Sequence, residues 1–141
     1  MSTQRTLAIF KPDSVANKKH GLMLQRILDE GFEVLAMRQT RLTKKEAEGF
    51  YAVHKGRPFF ESLCEFMCSG PIVVLSLERT DAVAYWRQVI GATNPADAKE
   101  GTLRKLYGSS LGENAVHGSD SPENGMVESN YFFSAAELLP E

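Results

Sequence analysis

The sequence predicts an α+β fold on three observations. They are short apolar runs with strand character, helical segments with clear start and stop residues, and one long segment rich in glycine, asparagine, proline and serine. The elements follow in the order β-α-β-α-α-β-α-loop-β-α. Without the inserted parts this order is βαββαβ, that of a ferredoxin-like sandwich with a four-stranded antiparallel sheet and helices on its faces. The pattern alone leaves this fold as one of a few candidates, with the long segment as an inserted loop.

In the first part of the chain, the sequence predicts a strand, one long helix and a second strand. Arg5–Phe10 is a short apolar run and indicates a strand. A helix is predicted from about Ser14 to Glu30, because apolar residues recur at core spacing and Gly31 follows as a stop. Phe32–Leu42 alternates well enough for a second strand and is a candidate for the sheet edge.

The middle of the chain predicts three helices and a buried strand. Thr43 and Glu46 have the spacing of a capping box, so a helix is expected through residue 51. A second helix is predicted over Phe59–Cys68. The β-branched run Ile72–Leu77 indicates a strand buried on both faces. The segment Asp81–Ile90 then returns to helical spacing.

The inserted loop follows Gly91 and spans about 25 residues, a length that in a compact domain is usually functional or disordered. Its only predicted regular piece is a short helix around Thr102–Leu106. Ala115–His117 is predicted to enter a last short strand. A final helix is expected after Ser121, with this serine as its cap and proline at its first position.

Composition predicts one domain over residues 1–141. Hydrophobic residues make up 43% and charged residues 24%, and the net charge of −2 favours neither strong nucleic-acid binding nor an anionic membrane. There is no apolar targeting stretch near Met1 and no run long enough to span a bilayer. Cys64 and Cys68 share a helix face and could bind metal, although two buried thiols are the favoured interpretation. We therefore expect a cytoplasmic protein.

The octapeptide Asn114–Ser121 carries the strongest chemical signal. Its histidine, His117, is nucleophilic and largely neutral near pH 7, and hydroxyl and carboxylate side chains follow within four residues. Gly118 allows a sharp turn or a close approach at this point. The residues alone leave catalysis and a structural histidine equally open.

A phosphate site would need cations from scattered segments, because no P-loop or dinucleotide-binding motif is present. The candidates lie at or near ends of elements and are Lys11, Arg57, Arg87 and Arg104. An exposed, solvated charge is the ordinary interpretation of each, so their removal is expected to leave the fold intact. Phe59 or Phe60 could stack on a base, but core packing of both is favoured.

Several segments resemble the nucleoside diphosphate kinase family in order and spacing over about the whole chain. They are Arg5–Asp13, Gly49–Tyr51, Arg57–Phe60, Phe66–Pro71, Gly91–Pro95, Gly101–Arg104 and the octapeptide. The resemblance supports the ferredoxin-like fold with an inserted helical pair and a long loop. The chain departs from the family pattern in residues 23–27, around Glu128 and after Phe133.

The resemblance implies a role for each matching residue. His117 would be the phosphorylated nucleophile, with Tyr51 beside it and with Ser119 and Glu128 steadying the active-site groups. Glu128 would do so by a hydrogen bond to His117. The residues implied for the phosphates are Lys11, Arg87, Thr93 and Arg104. Asn114 and Lys11 would contact the sugar. Phe59 would stack on the base, with Leu111 on its other side.

The implied reaction moves the γ-phosphoryl group of a nucleoside triphosphate to a nucleoside diphosphate through a phosphohistidine. Mg²⁺ would act through the nucleotide phosphates, with no metal ligand assigned in the protein, and base selectivity would be low. A homo-oligomer, tetramer or hexamer built from dimers, is expected. Two alternatives remain: a non-catalytic nucleotide-binding or signalling domain, and a nucleic-acid-binding regulator, which the net charge of −2 disfavours.

Overall fold

Four strands and seven helices make up the part of the chain that the computed structural model describes, residues 3–139. The strands are β1 (Thr3–Phe10), β2 (Glu33–Thr40), β3 (Ile72–Thr80) and β4 (Val116–Gly118). The helices are α1 (Pro12–Ala16), α2 (His20–Asp29), α3 (Lys44–Phe50), α4 (Phe60–Met67), α5 (Ala82–Ile90), α6 (Leu103–Tyr107) and α7 (Pro122–Phe132), with 3-10 turns at Ala52–His54 and Pro95–Asp97. The domain expected over residues 1–141 extends beyond the described residues at both ends.

The sheet has the strand order β2-β3-β1-β4, and all neighbouring strands are antiparallel. This is the ferredoxin-like arrangement, so the predicted fold class is confirmed, as is the edge position of β2. The short β4 pairs with the end of β1 and places His117 opposite Ile9. As a result, the residues that follow β1 and those that precede β4 meet at one end of the sheet.

Both faces of the sheet are covered by helices, because alternate residues of β1 enter two separate cores. Ala8 and Phe10 pack in a core with residues of α2 and α5, while Leu7 and Ile9 pack in one with residues of α3 and α4. All four are at most 1% exposed. The period of two along a strand thus explains why this central strand is apolar throughout.

The long helix predicted from Ser14 to Glu30 is wrong, because the chain breaks it between α1 and α2. The break is a turn in which Lys18 takes a left-handed conformation, with φ of 59°. The N–H groups of Lys18 and Lys19 donate to the carbonyls of Val15 and Ser14, so the end of α1 is capped by its own backbone. The inserted turn directs α1 and α2 separately onto the sheet.

The predicted caps form as expected. Thr43 and Glu46 make both hydrogen bonds of the capping box, at 3.1 and 2.9 Å, and the Ser121 hydroxyl accepts from the Asn124 N–H at 3.1 Å. The strand predicted at Ile72–Leu77 continues as β3 to Thr80, because β1 pairs with it as far as Thr3. Strand pairing, which local hydrophobicity does not report, sets this boundary.

Helix α7 lies directly against the backbone of β1, and Gly125 makes this approach possible. A methyl group at Gly125 would lie 2.0 Å from the carbonyl oxygen of Arg5. We expect Gly125→Ala to lower the free energy of unfolding by about 1–3 kcal/mol, as overpacking does. Thermal unfolding measures this. Gly21→Ala is the matched control, since nothing lies within 4 Å of that position in α2, and it should be neutral or stabilising. Equal midpoints for the two variants would contradict the close approach.

Candidate active site

A carboxylate anchors the imidazole ring of His117. Nε2 of His117 lies 2.8 Å from Oε1 of Glu128 in α7, and the Ser119 hydroxyl donates to the same oxygen at 2.7 Å. Ser119 is fully buried, and its Oγ accepts from the N–H of Leu7 at 3.0 Å. A carboxylate accepts only, so Nε2 carries the ring proton and, in the neutral ring, Nδ1 keeps its lone pair. The structure thus brings together three of the predicted residues in an arrangement that leaves one ring nitrogen free for nucleophilic attack.

One aromatic side chain, Phe50, packs against the same ring. Phe50 presents an edge to it, with ring centroids 5.5 Å apart and planes at 71°. The neighbouring Tyr51 is buried, and its hydroxyl has no hydrogen-bond partner among the described residues. Burial, with the charge of Glu128 adding to it, raises the pKa of Tyr51, so its hydroxyl stays protonated. Phe50 lies in the segment Gly49–Tyr51, but nothing in the sequence distinguishes it from a core residue.

Lys11 and Arg104 are buried, which corrects the expectation of exposed, solvated charges. Lys11 is 8% exposed and donates from Nζ to Oδ1 of Asn114 at 2.7 Å. Arg104 is 7% exposed and donates to the carbonyls of Gly91 and Val116, at 2.9 Å each. These contacts tie both cations to the segments that flank His117. The effect of removing either one on stability therefore depends on the contacts that it makes.

Neither cation forms an ion pair within residues 3–139. Burial and the charge of Arg104 together lower the pKa of Lys11 to about 8, against the opposing effect of Asp13. Burial and the nearby Arg87 lower the pKa of Arg104 to about 10. A buried positive charge is costly unless an anion offsets it. Two buried cations of this kind therefore suit a polyanion that enters from solvent.

Arg87 and Thr93 are exposed and border one open cavity. It is lined by Arg87, Gln88, Gly91, Ala92, Thr93, Asp97, Lys99 and Thr102. The carbonyl of Thr93 accepts from Nδ2 of Asn114 at 2.9 Å, so the same asparagine links this cavity to Lys11. Arg57 is exposed, and no ion pair involves it among residues 3–139.

Phe59 and Phe60 differ in burial, so the interpretation that both belong to the core is wrong for the first. Phe59 is 47% exposed and Phe60 is 6% exposed. His54 lies between Phe59 and Tyr51, with ring centroids 5.3 and 6.4 Å away. Leu111 is 60% exposed on the inserted loop. The exposed ring of Phe59 is thus the last in a row of neighbouring aromatic rings that begins at His117.

The cysteines agree in part with the expectation of two buried thiols. Cys64 is buried, Cys68 is half-buried, and neither forms a disulfide. No group of three histidine, cysteine, aspartate or glutamate side chains within residues 3–139 could hold a metal ion. In the same range, no helix has both the length and the apolar character needed to cross a membrane.

Comparison with known proteins agrees on one family. A family model described as nucleoside diphosphate kinase matches residues 4–138. The nucleoside diphosphate kinase of Geotalea daltonii is 55% identical over 136 residues, which are 96% of this chain and 99% of the relative. That of Persephonella marina is 51% identical over 139 residues, 99% of each chain.

Solved structures agree with the sequence relatives. The Aquifex aeolicus nucleoside diphosphate kinase superposes with a TM-score of 0.95 at 40% identity, covering 98% of this chain and all of that one. The Halobacterium salinarum enzyme, solved in complex with CDP, gives 0.94 at 34% identity, covering 99% and 93%. The fold and these relatives therefore make the chain a phosphotransferase, an enzyme of the kinase class. Within that class, the chain belongs to the nucleoside diphosphate kinase family.

Proposed function

We propose that this chain, as one domain, transfers the γ-phosphoryl group of a nucleoside triphosphate to a nucleoside diphosphate through a phosphohistidine. The observation that carries the proposal is the hydrogen bond from His117 Nε2 to Glu128, which leaves Nδ1 free. The buried cations Lys11 and Arg104 support it, because they bond Asn114 and Val116, just before this histidine in the chain. A nucleophile of this kind divides one difficult transfer into two easier steps.

In the first step the lone pair of His117 Nδ1 attacks the γ-phosphorus. The N–P bond forms as the bond from phosphorus to the β,γ-bridging oxygen breaks, and the diphosphate leaves with that electron pair. In the second step a terminal oxygen of another diphosphate attacks the phosphorus, and the electrons of the N–P bond return to Nδ1. The ring is cationic while phosphorylated, and Glu128, 2.8 Å from Nε2, stabilises that charge.

The cations act mainly by positioning the phosphates and by offsetting their charge. We assign Lys11, Arg87, Arg104 and Thr93 to the phosphates, and Asn114 with Lys11 to the sugar. Phosphoryl transfer needs little proton traffic, so such contacts supply most of the rate enhancement. Tyr51 and Ser119 are assigned to holding the ring of His117 and the carboxylate of Glu128.

Mg²⁺ is the cofactor we propose, held by the nucleotide and not by a protein cage. The described residues offer no cluster of metal-binding side chains, and the charged groups that we assign to the phosphates are cations. This donor set fits a metal that enters already bound to phosphate oxygens and water. Bound there, Mg²⁺ offsets part of the phosphate charge.

The test of this function is covalent labelling of the wild-type protein with γ-labelled ATP. We expect one phosphoryl group per chain on His117, stable in alkali and labile in acid, which a nucleoside diphosphate then removes as the triphosphate. Binding of ATP without any label would instead support a non-catalytic nucleotide-binding domain.

Base selectivity should be low, because the base is held by stacking between Phe59 and Leu111 and not by hydrogen bonds. We expect Phe59→Ala to weaken binding of purine and pyrimidine nucleotides alike by about 1–3 kcal/mol, the usual range for aromatic stacking on a base. Calorimetric titration with ADP and CDP measures it. Since Phe59 is 47% exposed, the fold should tolerate the change. Loss of affinity for one base only would show that the site reads the base edge.

The affinity of the free protein for nucleoside triphosphates should fall as the pH rises. The pKa of Lys11 is about 8, so its ammonium form dominates below that pH and its neutral amine above it. Only the ammonium attracts phosphate, and Arg104, with a pKa of about 10, keeps its charge. We expect about tenfold weaker binding at about pH 9 than at about pH 7. Calorimetry at several pH values measures this, and Lys11→Arg should show a flatter profile. A flat wild-type profile would remove Lys11 from the phosphates.

We also propose a cytoplasmic homo-oligomer, a tetramer or hexamer built from dimers. Two free thiols support a reducing compartment. Helix α2 and the edge strand β2 carry three apolar side chains that are each more than half exposed, Leu22, Leu28 and Met37. Exposed apolar side chains of this kind support a surface that another subunit covers. Light scattering on the purified protein distinguishes the assemblies.

A further inference from the structure

A strained turn lies directly before β4. Ala115 has a φ of 77°, in the left-handed region that favours glycine, and the Val116 N–H donates to the carbonyl of Asn114 at 2.9 Å. This hydrogen bond across three residues defines a γ-turn, a geometry that is rare for a residue with a side chain. Ala115 is fully buried, so solvent does not stabilise the conformation.

The turn joins two parts of the proposed nucleotide site. Before the turn, Asn114 accepts a hydrogen bond from the ammonium of Lys11. After the turn, the Val116 carbonyl accepts from Arg104, and His117 is hydrogen-bonded to Glu128. A change of φ at Ala115 would rotate these two parts relative to each other. The conformation of one alanine therefore sets how the nucleophile faces the phosphate-binding groups.

Helix α1 and the residue before it hold both polar groups of Ala115. Its N–H donates to Oδ2 of Asp13 at 3.1 Å. Its carbonyl accepts from the Ser14 hydroxyl at 2.8 Å and from the Lys11 N–H at 2.9 Å. The γ-turn bond uses neither polar group of its central residue, so these three bonds hold the two flanking peptide groups from outside the turn.

The carboxylate of Asp13 is partly buried at an electrostatic cost. Its Oδ1 is buried without a hydrogen-bond partner among the described residues. Burial raises the pKa of this carboxyl, which means that the site disfavours its charged form. Groups that are kept at a cost of this kind are typical of functional sites.

We propose that Asp13 is a positioning residue, which, with Ser14, holds Ala115 in the left-handed conformation and thereby aims His117 Nδ1 at the bound phosphate. This inference rests on the proposed function. The competing explanation is electrostatic, because the charge of Asp13 also acts on Lys11. An experiment must therefore separate the hydrogen bond from the charge.

Glycine at position 115 provides that separation, since it adopts a positive φ without cost. We expect Asp13→Ala to slow single-turnover phosphorylation of His117 by about 10- to 100-fold, as small misplacements of reacting groups do. Ala115→Gly added to Asp13→Ala should return the rate to within about threefold of the wild type, well above the product of the single effects. Asp13→Asn, which keeps an acceptor but removes the charge, should stay near the wild-type rate.

Lys18→Gly combined with Asp13→Ala is the matched control. Lys18 also has a positive φ, 59°, but is exposed in the turn after α1, so relief of strain there should not restore the rate. Rescue by Lys18→Gly as well would show a general stability effect and would overturn the proposal. Equal losses in Asp13→Ala and Asp13→Asn, without rescue by Ala115→Gly, would assign Asp13 to electrostatics and overturn it too.

The ¹⁵N chemical shifts of the His117 ring give a readout that does not depend on activity. In the wild type they should report a protonated Nε2 and an unprotonated Nδ1, in Asp13→Ala a mixture, and in the Ala115→Gly double variant the wild-type pattern again. An unchanged ring pattern in Asp13→Ala would overturn the positioning role, even if the chain proved not to be phosphorylated at all. Absence of phosphorylation in the wild type would refute the proposed function separately.

Discussion

Replacing His117 with alanine is expected to abolish phosphoryl exchange between nucleotides. The substitution removes the only group that the proposed reaction uses as nucleophile, and loss of a nucleophile in enzymes of covalent mechanism costs about 10⁴-fold or more in rate. The fold should survive, because Glu128 keeps its hydrogen bond from Ser119 at 2.7 Å. Exchange of label between ATP and a second diphosphate measures the effect, and calorimetry should show that nucleotide binding persists.

The matched control for this prediction is His20→Ala. His20 is the first residue of α2 and takes no part in the hydrogen bonds that join Glu128, Ser119 and His117. It should exchange phosphoryl groups at the wild-type rate. Exchange at an undiminished rate in His117→Ala would mean that the phosphoryl group passes directly between nucleotides or through another residue, and the covalent mechanism would have to be abandoned.

The parts of the fold that the sequence predicts well are those set by local chemistry. The capping box at Thr43 and the serine cap at Ser121 depend on side chains within three residues of the helix start, and both form. The break at Lys18 depends on a left-handed residue that is not glycine, so no local signal marks it. The end of β3 at Thr80 depends on pairing with β1, a contact between distant parts of the chain.

The site also has a part that the sequence predicts and a part that depends on contacts between distant segments. The polar, glycine-containing neighbourhood of His117 is visible in the sequence, and so is Lys11 at the end of an apolar run. Their meeting depends on the pairing of β4 with β1, which joins Phe10 to Val116. Burial of Lys11 and Arg104 was not predictable, because it arises from the packing of segments that are far apart in the chain. Asp13 gave no signal of its own, since its acceptor role appears only beside Ala115.

The stability effects of the two buried cations should differ although both serve the same phosphates. At neutral pH the charged Lys11 opposes folding, since burial lowers its pKa from the ordinary lysine value of 10.5 to about 8 in the folded protein. Stability therefore rises with pH between these two values, where the unfolded chain binds the extra proton. Removing the charge should not destabilise the protein. Arg104 instead satisfies the buried carbonyls of Gly91 and Val116.

We expect Lys11→Met to leave the thermal midpoint unchanged or to raise it, and Arg104→Met to lower the free energy of unfolding by about 1–3 kcal/mol, as loss of partners for buried acceptors does. Each variant should slow phosphorylation of His117 by about 10²–10³-fold, because developing charge makes such contacts stronger in the transition state than in the ground state. Single-turnover labelling and thermal unfolding measure the two effects.

The double variant should be slower than either single one by less than the product of their effects, because both cations act on one set of phosphate oxygens. Met is chosen at both positions so that the length of the side chain, and with it the packing, is largely kept. Normal single-turnover phosphorylation in either single variant would remove that residue from the transition state. A fall in the midpoint of Lys11→Met as large as that of Arg104→Met would show that the lysine, 2.7 Å from Asn114, is held for stability. Its low pKa would then reflect burial alone, and the phosphate-binding charge would rest on Arg104 and the exposed Arg87.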